Sequence, residues 1–358
     1  MTKGTAVLRQ QNEKRVLAFL RKERISSRLD IARKLTISKN TVSLIVEKFI
    51  KQQIIQEVGT NEATAAGRPK IKITIIPNAL KSIGILIQHN QAYLVVTDYY
   101  SQVIESERFT LNTAEPEQCL KEIGQRAAEL MRIHPETIGV GVGLPGIVDP
   151  VTGFVYYSSH LGWSNVDANS ILSSHISLPL RVMNSVKASA LATLQQLDEE
   201  TAPSTFYIRI DEGVGGAFLI SDKLYFGGTW TAGEVGHLMI DPAGPLCQCG
   251  RRGCLEAFIR TKTVDLRLQQ EEQETVYRDI GQYLSTALTH IIHLCNPKQI
   301  VIDSPYGENA LFKQVTIETT QANTLRFPAQ HTDILFVRNQ ENPAVGAALS
   351  VIQEYEAE

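Results

Sequence analysis

Three cysteines fall within eight residues of this chain, at Cys247, Cys249 and Cys254, and His237 stands ten residues before the first of them. The stretch from Ala232 to Glu256 reads AGEVGHLMIDPAGPLCQCGRRGCLE. Gly250 and Gly253 allow the tight turns that bring such closely spaced thiols to one point. Thiolate and imidazole are the ligands zinc prefers, so His237, Cys247, Cys249 and Cys254 are expected to hold Zn2+ in a tetrahedral Cys3His site. Four protein ligands leave no open coordination position, so the metal is expected to be structural. Two carboxylates, Glu234 and Glu256, bracket the set. The remaining cysteines, Cys119 and Cys295, are isolated in apolar surroundings. This usage fits a reducing compartment better than a disulfide framework. The first residues, MTKGTAVLRQQNEKR, are polar and basic with no hydrophobic signal region, and no apolar run approaches the roughly 20 residues of a membrane span. A cytoplasmic protein is expected.

Charge divides the chain. Residues 1–80 carry 16 Lys and Arg against 6 Asp and Glu, a net of +10; the remaining 19 against 32 give −13. A basic head on an acidic body points to nucleic acid at the N-terminal end. With 358 residues there is room for two or three domains.

The head has its own periodicity. Val16, Leu17 and Leu20 share one face of a helix over 12–22. A second helix fits Arg28–Leu35, with Ser26 or Ser27 as its N-cap. Ser38 caps a third, Lys39 to about Gln52, whose Val42, Ile45, Val46, Phe49 and Ile50 form a buried stripe. Its opposite face opens with Lys39, Asn40, Thr41 and Ser43. With Ser38, these short polar and cationic side chains are expected to enter a major groove. The segments IIQEV and KIKITII then alternate as two strands of a hairpin, separated by a polar loop ending in Gly67-Arg68-Pro69. This is a winged helix-turn-helix over residues 1–80. Its wing arginine, Arg68, is placed to reach a narrow minor groove of double-stranded DNA.

From Ser82 the pattern becomes α/β. SIGILIQHNQAYLVVTDYYSQVIESERFTL reads as three consecutive strands, followed by a helix over Pro116–Ile133 and the buried strand IGVGVGLPG. Helices over 169–176 and 185–197 flank the short strand LRVM. A second hairpin, STFYIRIDEGVGGAFLISDKLYFGG, repeats the first in pattern, and a long helix (about Val276–Leu294), the strand QIVID and a last helix at Ala344–Tyr355 complete the chain. Two halves that open alike predict an internal duplication, with subdomains at 81–195 and 196–358 and a binding site between them. Gly213-Val214-Gly215-Gly216 reads either as a phosphate loop or as a tight β-turn.

The order of these motifs carries a resemblance. A winged helix with Gly-Arg-Pro is followed by Leu-Pro-Gly, Leu-Gly-Trp, Gly-Val-Gly-Gly, Ala-Gly-Glu-Val-Gly-His and Cys-x-Cys-Gly-x-x-Gly-Cys-Leu-Glu. Over nearly its whole length the chain resembles the ROK family (repressors, open reading frames and sugar kinases), and its repressor branch most closely. The resemblance implies an actin-like ATPase (sugar kinase) fold for the body and zinc on the cysteines and histidine. It implies sugar contacts at Asn184, Glu234, His237 and Glu256, with His237 using one ring nitrogen for zinc and the other for a hydroxyl. His160 stands where the family's kinases often have Asn before Leu-Gly-Trp. The same kinases carry an Asp-x-Gly-Gly-Thr turn for ATP and magnesium, and here Leu86, Gln88, His89 and Asn90 occupy it. Their general base is the Asp of an Asn-Asp pair, and here the pair reads Asn184-Ser185. An unactivated serine cannot take a sugar hydroxyl's proton near neutral pH. The expectation is therefore a sugar-responsive repressor without catalytic activity. It would bind operator DNA as a homodimer or dimer of dimers and be released by a monosaccharide. The alternatives are an active sugar kinase with a DNA-binding head and a repressor controlled by a protein partner.

Overall fold

The computed structural model describes residues 3–60, 71–197, 202–338 and 343–357. In the head, α1 (Lys3–Glu23) is followed by β1 (Ile25–Ser27), α2 (Arg28–Leu35), α3 (Lys39–Lys51), β2 (Ile55–Thr60) and β3 (Ile71–Ile75). Ser27 caps α2, its hydroxyl accepting from the Asp30 N–H, and Thr36 ends that helix in the left-handed conformation. Ser38 caps α3 by accepting from the Thr41 N–H at 3.1 Å. Val42, Ile45, Val46 and Phe49 are buried, as the stripe requires. The wing strands β2 and β3 pair antiparallel, and β1 adds to the other side of β3. β1 is three residues long, too short for any periodicity to reveal it. α1 begins well before the expected residue 12, because only the part that packs inward carries an apolar stripe.

The body begins with β4 (Lys81–Gln88), β5 (Gln91–Asp98) and β6 (Val103–Thr110), an antiparallel meander, then α4 (Pro116–Ile133) and β7 (Thr137–Leu144). A small antiparallel sheet follows from β8 (Ile147–Val148), β9 (Phe154–Ser158) and β10 (Trp163–Asp167), then α5 (Ala168–Ser173) and β11 (Leu180–Asn184). The main sheet runs β11-β7-β4-β5-β6, with β7 parallel to β4. Its core packs Ile83, Ile85, Val140 and Val142 with Leu120, Ile123 and Ala127 of α4.

The second half repeats the plan. It contains α6 (Ser185–Gln196), β12 (Ser204–Ile210), β13 (Val214–Ile220), β14 (Lys223–Tyr225), α7 (Leu255–Ile259), α8 (Thr261–Leu268), α9 (Gln273–Cys295), β15 (Gln299–Asp303), α10 (Ala310–Asn323), α11 (Arg326–His331) and β16 (Asp333–Val337). Its sheet runs β14-β13-β12-β15-β16, again an antiparallel hairpin continued by parallel strands. The two sheets share one topology, which is the expected duplication.

The final helix, α12 (Pro343–Ala357), returns to the first half. Glycines admit it there. A Cβ on Gly84 would lie 1.9 Å from the Ala344 carbonyl oxygen, and one on Gly141 2.0 Å from that of Ala347. The strands IGI and GVG therefore owe their glycines to a helix backbone lying directly on them. Two compact units result, residues 1–183 with 343–358, and residues 184–342. This division falls earlier than the expected 195/196, because α6 packs on the second sheet, with Val186 against Gly215. The last helix, expected within 196–358, belongs to the first unit.

Within that unit the head is fused to the body. Tyr99, Tyr100 and Ile352 share one core with Val16, Leu20, Ile45 and Phe49 of the head. Glu356 of α12 accepts hydrogen bonds from Arg21 Nε at 2.7 Å, Arg21 Nη2 at 2.8 Å and the Tyr99 hydroxyl at 2.9 Å. Burial pushes the Tyr99 phenol well above its ordinary range.

Candidate metal and effector site

The cysteine block folds as two bridged turns. Cys254 forms an isolated bridge with Met239, and Leu246 with Arg252. Between them the Cys247 N–H donates to the Arg251 carbonyl at 2.7 Å, and the Gly250 N–H to that of Cys247 at 3.0 Å. Gly250 and Gly253 both have positive φ, +83° and +73°. Gly253 also has no room for a side chain, since a Cβ would lie 1.6 Å from the Asp241 carbonyl oxygen. The local fold is dictated by glycines at fixed offsets from the thiols.

The structure brings all four expected ligands together. One donor atom from each of His237, Cys247, Cys249 and Cys254 lies within 4.8 Å of every other. Cys249 Sγ is 3.6 Å from Cys254 Sγ, and Cys247 Sγ is 3.8 Å from His237 Nδ1. Two sulfurs bound tetrahedrally at about 2.3 Å from zinc are about 3.8 Å apart, so the donor set has the size zinc needs. The Cys249 thiol is exposed and lowered, chiefly by the Arg251 N–H. Burial pushes the Cys254 thiol up to about 12. A bound cation removes that penalty by taking the thiolate as ligand.

Around this centre the expected sugar-contacting residues of the second unit take distinct places. Glu234 precedes a 3₁₀ turn over Val235–His237 and is exposed. Its carbonyl accepts from the His237 N–H at 3.2 Å, so carboxylate and imidazole stand one turn apart. Glu256, on α7, is 7% exposed. Its Oε2 accepts from the Val214 N–H at 2.9 Å, and its Oε1 lies 3.8 Å from Cys247 Sγ. Asn184 caps α6, its Oδ1 accepting from the Val186 and Lys187 N–H groups at 2.9 and 3.2 Å. His160 is in the first unit, exposed on the turn between β9 and β10, with Nδ1 3.5 Å from Ser159 Oγ.

The glycine run 213–216 resolves toward packing. Gly213 sits at the β12–β13 turn, where the Asp211 N–H donates to its carbonyl at 2.8 Å, while Gly215 and Gly216 lie within β13. A Cβ on Gly216 would be 3.0 Å from the Gly233 carbonyl oxygen, and one on Gly236 2.0 Å from that of Val214. These glycines let the loop carrying Glu234 and His237 lie on β13. The hairpin between β4 and β5 turns through His89 and Asn90, with Asn90 at positive φ and its N–H donating to Thr113 Oγ1 at 3.1 Å. Leu86 is buried, and Gln88 and His89 are exposed.

In the head, Ser38, Lys39 and Asn40 are exposed at the start of α3, and Thr41 and Ser43 are half-buried. Thr41 also shares a 2.8 Å hydrogen bond with Ser38, so this pair is partly committed to the cap. Sequence reasoning passed over Leu44, which is 59% exposed and four residues after Asn40 on the same face. An exposed leucine there suits contact with a thymine methyl. Arg68 lies outside the described residues. Lys187, three residues after Asn184 in α6, is buried at 2% exposure.

The profile of the ROK family matches residues 82–354, most of the chain. The chain belongs to the ROK family. Among curated ROK relatives, the xylose repressor of Bacillus spizizenii is 26% identical over 313 residues, covering 81% of each chain. The DNA-binding transcriptional dual regulator NagC of Escherichia coli K12 is 25% identical over 355 residues, covering 90% of this chain and 87% of NagC. A solved ROK transcriptional regulator, a homolog of the E. coli MLC protein, superposes over 98% of this chain and 97% of its own at a TM-score of 0.82 and 20% identity. The ROK hexokinase of Thermus thermophilus covers 78% of this chain at a TM-score of 0.66 and 19% identity. The regulator structure thus matches the fold over nearly the whole chain, and the hexokinase over a smaller share of it.

Proposed function

We propose that this protein is a sugar-responsive transcriptional repressor of carbohydrate-use genes, which binds operator DNA through its head and is released by a monosaccharide. The observation that carries the reading is the winged helix-turn-helix built into the same compact unit as a sugar-kinase-like sheet, in a chain whose relatives include a xylose repressor and the DNA-binding transcriptional dual regulator NagC. Residues Ser38, Lys39, Asn40, Thr41 and Ser43 of α3 face the major groove, and Arg68 the minor groove. Lysine and arginine neutralise phosphates and make affinity salt-dependent, while the short polar side chains read base edges. Two subunits, in a homodimer or a dimer of dimers, match a palindromic site. The cytoplasm is the compartment that gives access to DNA. Among the described residues no helix is long and apolar enough to cross a membrane.

The sugar is held by Asn184, Glu234, His237 and Glu256 of the second unit. Each buried hydroxyl of a polyol needs a partner, and carboxylates and amides supply one to two bonds each. Zinc on His237, Cys247, Cys249 and Cys254 braces the loop structurally. His237 Nδ1 faces the thiols, which leaves Nε2 for a hydroxyl. The sugar acts by binding the operator-incompetent arrangement more tightly than the competent one, since only differential affinity shifts an equilibrium. Phosphoryl transfer is not part of this reading. The β4–β5 turn carries His89 and Asn90 side chains where phosphate needs bare backbone, and Ser185 supplies no base.

The test is an operator titration. Duplex DNA enriched from a random pool is bound by the protein, and a monosaccharide panel is added. Release by one or a few sugars supports the proposal. Sugar turnover with ATP in a coupled assay favours the kinase reading. Operator binding that no sugar alters, with no sugar binding by calorimetry, favours control by a protein partner.

A further inference from the structure

The outward arc of α3 carries an apolar residue where a surface that meets a polyanion ordinarily carries cations. Val42, Ile45, Val46 and Phe49 turn inward and are buried. The opposite arc, at helical spacings of four, three and four, runs Asn40, Leu44, Glu47 and Lys51, all exposed. Leu44 is 59% exposed and stands in the first half of this thirteen-residue helix. Single exposed leucines are ordinary on protein surfaces. What sets this one apart is its surroundings. Ser38 and Thr41 are bonded to each other and close the cap. Lys48, on the edge of the arc, is drawn onto Glu13 of α1 at 2.6 Å. These contacts turn neighbouring polar groups away and leave Leu44 standing out from the helix.

A phosphate gives Leu44 nothing. Lysine and arginine supply the phosphate contacts of a DNA-binding surface, and on α3 the exposed ones stand at the two ends, Lys39 and Lys51. Between them the arc holds an amide, a leucine and a carboxylate, and the carboxylate of Glu47 repels phosphate. Such a middle suits base edges. Among the groups that bases display in the major groove, the C5 methyl of thymine is the apolar one. A leucine already held out by a packed helix covers that methyl without rearrangement, and the two apolar surfaces shed water together.

We infer that Leu44 is a specificity-determining residue of the operator complex, packing on the C5 methyl of one thymine in each half-site. This rests on the operator-binding reading proposed above. Cytosine presents an amino donor without the methyl, and adenine and guanine present their N7 acceptors. The contact therefore selects thymine without making a hydrogen bond.

The full-length protein is used to enrich its operator from a random duplex pool. Each thymine of the enriched site is then replaced singly by deoxyuridine, which pairs identically and lacks only the methyl. Wild type is expected to lose about fourfold in affinity at one thymine of each half-site, the ratio that one buried methyl supplies. Cytosine at that position weakens binding, and 5-methylcytosine recovers part of the loss. Leu44→Ala is expected to bind the thymine and uracil duplexes equally. It keeps the salt dependence of wild type, since leucine neutralises no phosphate, and melts with it, since the side chain is exposed. Leu44→Met, apolar and of similar size, retains part of the preference. A wild type indifferent to the methyl of every thymine overturns the inference. So does a Leu44→Ala protein that still prefers thymine to uracil at the same position by the wild-type ratio. A protein that enriches no sequence refutes the operator-binding reading and the inference with it, a result distinct from either of those two.

Discussion

Replacing Glu356 by alanine strips three hydrogen bonds from the junction between head and body at once. The carboxylate is 7% exposed and accepts from both donors of the Arg21 fork and from the Tyr99 hydroxyl. Its loss leaves a guanidinium and a buried phenol without their acceptor. Removing one partner of a buried ion pair costs about 3–5 kcal/mol. The Arg21 side chain is 17% exposed and recovers some hydration, so the lower end, about 3 kcal/mol, is expected. For a unit of this size that lowers the melting temperature by roughly 6–12 °C. Thermal unfolding followed by circular dichroism measures the shift, and amide exchange locates it: protection should fall in α1, α3 and α12 and stay constant in α9. The double variant Arg21→Met, Glu356→Leu should recover most of the loss, because apolar residues of similar volume replace a buried pair at little cost. A Glu356→Ala protein that melts within 1 °C of wild type, estimated against about 1 kcal/mol for 2–4 °C, refutes the reasoning. The head would then be held by the apolar contacts of Ile352, Tyr99 and Tyr100 alone.

Cys249→Ser should abolish stoichiometric zinc, measured by elemental analysis of the purified protein, and loosen the loop between Asp241 and Cys254; full metal retention would remove Cys249 from the ligand set. Glu256→Ala should weaken sugar binding and destabilise the protein by about 1–3 kcal/mol, because the Val214 N–H loses its acceptor. Its operator affinity without sugar should equal that of wild type, and a parallel loss of DNA binding would show that the two sites are not separable. Arg68→Ala should weaken operator binding and reduce the slope of log affinity against log salt by about one; an unchanged slope means the wing makes no phosphate or groove contact.

Much of this architecture was legible because it is local. The stripe Val42, Ile45, Val46 and Phe49 states helix α3 without reference to the rest of the chain, and Ser38 states where it starts. The two hairpins, β4–β5 and β12–β13, show through strand alternation. The metal ligands show through spacing, because glycines at 250 and 253 take the positive-φ turns that let closely spaced thiols meet. What stayed hidden depends on elements far apart in the chain. β8, β9 and β10 are too short or irregular for alternation to announce them, and only pairing makes them a sheet. The glycines of Gly213–Gly216 admit a phosphate loop as readily as a turn until the Gly233–Gly236 loop is seen lying against them.

The sequence by itself determined the cysteine block, the basic head and the duplicated hairpins, since all of these are set by residue type and short spacing. The tertiary structure alone decided that α12 crosses back to the first unit, where Glu356 meets Arg21 across 335 residues of chain. That contact has no sequence signal, because a charge is written the same way whether it faces water or another charge. Only packing removes the water and makes the difference.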